Sequence, residues 1–349
     1  MRSNNLLQSL TVKVACVLVA VFCFTQAVPA QTRIIFTDAT DGDYIIGRGG
    51  DFGAVHVHSN WTTGNLHIDN GDLLISGSQA GVTTNGNARV GSDTGFASTT
   101  TVSQGGQWQI NGALDITERG HFRATALGSS IEAESLNISG NRASFELDWG
   151  ATATITGPTT IGSGGAIYLR DNSAFTGDIT VARGGTLGTR SSFLASLGGT
   201  IDGNIVNYGT LHLEASALHV VGNIMLGAGS SFAFWVDSFM PGGGLFPMLT
   251  LDGHLLNSEG QMISESEMRS VLDASSFRDF SSGGFLSTNE RVQLIDTLMV
   301  SWQDNLAQPG APDTVVPAPA TLLILGLAGA GALGMRTLRR KSQRAGDEA

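Results

Sequence analysis

The 349-residue chain carries 47 Gly, 8 Pro, 2 Cys and a formal charge of −11, with 41% hydrophobic and only 14% charged residues. Collagen is excluded because Gly follows no three-residue period, and a disordered polyelectrolyte is excluded by the apolar content. Lys13 and Lys341 are the two lysines, so the charge of the body rests on Arg and no lysine-dependent active site is expected.

Residues 1–30 have the layout of a secretory signal: Arg2 and Lys13 are basic, Val14 to Phe24 is apolar, and Val28-Pro29-Ala30 places small residues at a cleavage site. Signal peptidase is the implied partner, with Gln31 as the mature start. An uncleaved anchor is the alternative, against which the short apolar run counts. Both cysteines, Cys16 and Cys23, fall inside this segment. The mature body then has no disulfide framework, thiolate metal site or cysteine nucleophile.

The acidic turn Asp38-Ala-Thr-Asp41-Gly42-Asp43 offers oxygen ligands but lacks the rest of a calcium loop. It reads first as a solvated turn. His56 and His58 share a strand face and His67 follows, but surface histidines are the expectation rather than a metal site. Of Trp61, Trp108, Trp149 and Tyr168, at least half are expected in the interior or at corners. The rest are candidates for stacking on sugar rings.

From Leu66 onward short strands ending in Gly-containing turns recur, as in Leu114-Asp-Ile-Thr-Glu-Arg-Gly-His-Phe122 and Ile179-Thr-Val-Ala-Arg-Gly-Gly-Thr-Leu187. The turn positions Gly120, Ala143, Gly165, Gly185, Gly209 and Gly229 give a period near 22 residues. That period predicts an all-β, right-handed parallel β-helix or solenoid over residues 31–236, with Leu114 and Ile116 inward and Asp115 and Thr117 outward. A β-sandwich array is the rival. The pattern resembles autotransporter passenger regions, although no train of strands for an outer-membrane barrel follows.

Residues 237–307 are expected to cap the open solenoid end. Ser264 and Glu267 form a capping box before a short helix, and 291–296 and 298–302 read as closing strands.

Residues 308–320 form a Pro-rich linker with the sorting motif Val316, Pro317, Ala318 and Pro319. The apolar stretch 321–338 is a candidate transmembrane helix, short for a ~30 Å hydrocarbon core. Gly326, Ala330 and Gly334 form a small-residue stripe on it. Arg336, Arg339, Arg340 and Lys341 form a basic stop, and residues 339–349 a basic tail that the positive-inside rule places in the cytoplasm. The run Val316-Pro-Ala-Pro-Ala-Thr-Leu-Leu-Ile-Leu-Gly followed by Arg resembles the PEP-CTERM sorting tail. The departure is Ala318, where that family usually has Glu. The resemblance spans only residues 315–341. It implies export, handling by an exosortase-type sorting protease, inner-membrane anchoring through the helix, and delivery to the cell surface of a bacterium that makes extracellular polysaccharide.

Hydrolase elbows, zinc-protease helices, dinucleotide fingerprints and phosphate-binding loops are missing from the sequence. No catalytic residue, metal ligand or cofactor is assigned. Residues 31–335 carry 12 Arg against 28 acids, a balance of −16 that disfavours nucleic acid and anionic membrane surfaces and favours neutral glycans, cations or other proteins. The sequence therefore points to an exported structural or adhesive protein whose partners are extracellular polysaccharide or other surface proteins. A carbohydrate-active β-helix enzyme is the alternative.

Overall fold

The computed structural model describes residues 31–47, 51–92, 96–190, 198–214, 217–236, 248–279 and 284–306. The signal segment with Val28 and Ala30, the sorting motif, the small-residue stripe, the candidate membrane helix and the basic tail lie outside the described residues. Among the described residues no helix is long and apolar enough to cross a membrane.

Three ladders of short parallel strands wind into a β-solenoid. Among the described residues the first stacks eleven strands, from Gln31–Ile35 to Ser276–Asp279. The second runs from Ala39–Thr40 to Met248–Leu251 and the third from Tyr44–Ile46 to Leu255–Leu256. Each coil visits all three in turn, so that Ser98 lies opposite Gly120 and Ala143 opposite Gly165. These partners are one sequence period apart, which confirms the repeat.

Alternation drives the coil. Leu114 and Ile116 are fully buried, and Asp115 and Thr117 point outward. Inside the first ladder Phe122 stacks on Phe145 at 4.7 Å and 10°. Inside the second, Trp61, Val82, Trp108, Ile131, Ala153, Phe175 and Ile201 lie in one row across successive coils. Each such apolar side chain contributes roughly 1.5–3 kcal/mol by leaving water. Like residues thus meet like residues along the axis, and the core is a stack of rows.

The corner between the second and third ladders is fixed by polar stacking. Asp178 Oδ1 accepts from the Asn204 backbone and side-chain amides at 2.7 and 3.1 Å. Asn204 Oδ1 accepts from the Asn223 backbone at 3.0 Å, and Asn223 Oδ1 from the His254 backbone at 2.8 Å. Asp43, Asn65 and Asn87 repeat the device nearer the N-terminus. The glycine before each Asn is sterically required: a Cβ on Gly222 would lie 2.4 Å from the Gly203 carbonyl oxygen.

The C-terminal end departs from the sequence-based boundaries. The stack continues past residue 236, since Met248–Leu251 and Leu255–Leu256 extend the second and third ladders and Ser276–Asp279 the first. Helix α1 (Glu265–Asp273) has the expected Ser264–Glu267 capping box and buries Met268 and Leu272. The expected closing strands at 291–296 and 298–302 are instead one helix, α2 (Thr288–Leu306). Ile295, Leu298 and Met299 bury one face at i, i+3, i+4 spacing, while Ser287 and Glu290 exchange capping hydrogen bonds at its start. A four-residue alternation at Val292 and Leu294 imitates a strand, but the helical period holds over a longer span.

Candidate functional site

The outward face of the first ladder is where chemistry-bearing side chains converge. Parallel register places Arg123, Glu146, Tyr168, Gly188 and His212 opposite one another in successive coils. One pleat earlier along the strands, His121, Ser144, Ala166 and Thr186 form a second row.

Gly188 brings Tyr168 and His212 together. A Cβ there would lie 1.8 Å from the His212 carbonyl oxygen, so the coils close up over the glycine. The Tyr168 and His212 rings meet edge to face at 6.1 Å.

Glu146, Asp148 and Glu214 are the buried carboxylates on this face among the described residues, and Glu214 lies 3.5 Å from His212 Nε2. Glu146, 6% exposed, accepts from the Arg170 guanidinium and from Arg190 at 3.4 Å. Asp148, 1% exposed, accepts from Arg123 Nε at 3.0 Å, and its Oδ1 has no hydrogen-bond partner among the described residues. A buried carboxylate demands such cationic partners. His121 bonds Ser144 Oγ through Nδ1 at 2.6 Å. Burial holds the His121 imidazole below its ordinary pKa; Glu146 opposes the shift and Arg123 adds to it. Burial likewise pushes the Tyr168 phenol up.

Between these rows lies a shallow trough of about 290 Å³. Its floor is small: Gly164, Gly165, Ala166 and Gly184. Arg142 stands at one side, and Tyr168, Glu146 and Arg190 at the other. Arg190 is 53% exposed and its guanidinium carbon lies 5.5 Å from the Tyr168 ring centroid. A cation over an aromatic face and hydroxyls at Ser144 and Thr186 suit a polar ligand lying across the coils.

The residues singled out by sequence do not meet here. His56 belongs to the first ladder and His67 to the third, while His58 stacks on Phe36 at 5.2 Å. Among the described residues no three His, Cys, Asp or Glu side chains converge as a metal site. The acidic turn is consumed by coil stacking: Asp38 accepts from Ser59, Asp41 from Trp61 Nε1 and Arg33, and Asp43 from Asn65. The Ser59 hydroxyl holds the Asp38 carboxyl below its usual range. Trp61 and Trp108 are interior, as expected for at least half of the aromatics, and Trp149 is 63% exposed at a corner. Tyr168 alone of these four lines the trough.

No family profile, curated protein or solved structure matches this chain.

Proposed function

We propose that the chain is a non-enzymatic, surface-directed β-solenoid protein, exported through its N-terminal signal and sorted through its PEP-CTERM-like tail. Its role is structural or adhesive, in the envelope or extracellular matrix. The coil is right-handed, the hand that strand-crossover-strand connections favour, and residues 321–338 anchor the precursor in the inner membrane before an exosortase-type protease acts.

The observation that carries the adhesive role is the treatment of the outward carboxylates. The buried carboxylates of Glu146 and Asp148 are held by guanidinium groups, of which those of Arg123 and Arg190 reach to the surface, an arrangement that suits a rigid binding face. A glycosidase needs one carboxyl group poised as an acid and a second facing the scissile bond. The enzyme alternative therefore has less support than a scaffold.

Cell fractionation tests the sorting. Full-length protein is expected at the surface or in the matrix, and a chain lacking residues 315–349 is expected in the periplasm or medium. Unchanged surface localisation of the truncated chain would overturn the proposal.

A further inference from the structure

We infer that the trough on the first ladder binds a carboxylated polysaccharide segment, running along the solenoid axis across the coils. The inference rests on the polysaccharide-facing role proposed above and names its ligand class.

Charge on the molecule is unevenly placed. Six arginines, Arg119, Arg123, Arg142, Arg170, Arg183 and Arg190, fall on the first-ladder strands of the middle coils or in the turns flanking them. The acids of the same region are Glu118, Glu146, Asp148, Asp171 and Glu214, five against the six arginines, and Glu146 and Asp148 are engaged by arginine. A chain of formal charge −11 thus has a locally cationic face around the trough. Such a face attracts an anion that the rest of the surface repels.

Arg142 supplies the second observation. It sits in the turn before its strand at φ +65°, as Arg119 does in the preceding coil at φ +54°, whereas Gly164 and Gly184 occupy the same place in the next two coils at φ +75° and +77°. Those coils use the residue for which a left-handed backbone is unstrained. Here an Arg keeps the strained conformation, is exposed, and makes no ion pair among the described residues. A strained, unpaired cation at the mouth of a trough is a ligand contact in waiting.

Shape and chemistry select a sugar chain. The strands of these coils are paired on both sides, so no backbone edge is free for an extended peptide to add to. A polysaccharide needs no such edge. Its C–H faces suit Tyr168 and Ala166, its hydroxyls suit Ser144 and Thr186, and its carboxylates suit Arg142 and the exposed Arg190. Successive coils are about 4.8 Å apart, so the trough offers repeated contacts along the axis.

The test is isothermal titration of the full chain with polygalacturonate, dextran and poly-L-glutamate. Polygalacturonate is expected to bind, dextran to bind at least tenfold more weakly, and poly-L-glutamate likewise. Arg142→Gln is expected to lower polygalacturonate affinity about tenfold, the scale of one charge-assisted contact. Arg269→Gln, at the distant pair with Asp296, is expected to leave it unchanged. Binding by the unaltered chain should also weaken as NaCl rises from about 0.05 to about 0.5 M, which tests the claim without any variant. Equal binding of dextran, equal binding of poly-L-glutamate, or an Arg142→Gln protein that binds like the original would overturn the inference. Unchanged surface localisation of the chain lacking residues 315–349, with polygalacturonate binding retained, would reject the sorting proposal and leave this one standing.

Discussion

Asp148 shows how a single outward side chain becomes part of the core. It lies on the solvent side of its strand yet is 1% exposed, and Arg123, itself 41% exposed along its side chain, neutralises it. Removing the cation leaves a buried carboxylate without a partner. Arg123→Met is therefore expected to cost about 1–3 kcal/mol in urea unfolding, less than for a wholly buried pair because the arginine is partly solvated. The double variant with Asp148→Leu should recover most of it, and a single variant as stable as the original would contradict the account. His121 gives a pH signature. Its folded-state pKa lies below the unfolded value of about 6.5, so the unfolded chain binds the proton first and stability falls as pH drops below that value. In His121→Gln the difference in stability between pH 7.5 and 5.5 should shrink, and an undiminished difference would assign the acid sensitivity to other groups. Residue by residue, the interior was legible in the sequence: Leu114 and Ile116 are buried as alternation requires. The engaged carboxylates were not, because pairing of Glu146 with Arg170 and Arg190 joins residues 24 and 44 positions apart.

At the scale of elements, the coils are held by corners as much as by strands. The corner residues stack so that the side-chain oxygen of Asp178, Asn204 and Asn223 in turn receives the backbone amide of the next coil. Asn223→Ala removes one exposed rung and should cost about 0.5–1.5 kcal/mol. Gly222→Ala forces a methyl group against a backbone carbonyl and should cost more, about 1–3 kcal/mol or beyond. Thermal or urea unfolding of the two variants checks the order, and a reversed order would contradict the steric argument. The period near 22 residues was readable because glycines mark the turns before the first-ladder strands. The asparagine stack was not, since Asn in a turn has many explanations and only the register shows each carboxamide above the last. The closing helix was missed for a different reason: four alternating residues from Arg291 satisfy a strand pattern, whereas burial of Ile295, Leu298 and Met299 obeys a period near 3.6.

Over the whole molecule, a solenoid is stabilised mainly between neighbouring coils, so one coil can be removed without dismantling the rest. Deleting residues 166–185 joins Gly165 to Thr186 and restores all three registers, because Ala166 pairs with Thr186, Ala174 with Thr200 and Ile179 with Ile205. The shortened protein is expected to keep its β-type circular dichroism per residue while losing the trough with Tyr168 and Gly184. Collapse of the β signal would contradict nearest-neighbour stacking. The trough itself was invisible to sequence reading because its lining comes from three coils. Its local trace is a pair of arginines, Arg119 and Arg142, standing where the following two coils have glycine.

The most direct test of a binding scaffold with a carboxylate-recognising face is to mix the full chain with polygalacturonate and follow both partners. The protein should co-sediment with the polymer, the Arg142→Gln protein should do so much less, and the polymer should keep its length after prolonged incubation. Shortening of the polymer would show a catalyst instead, and absence of co-sedimentation would remove the trough as a binding site.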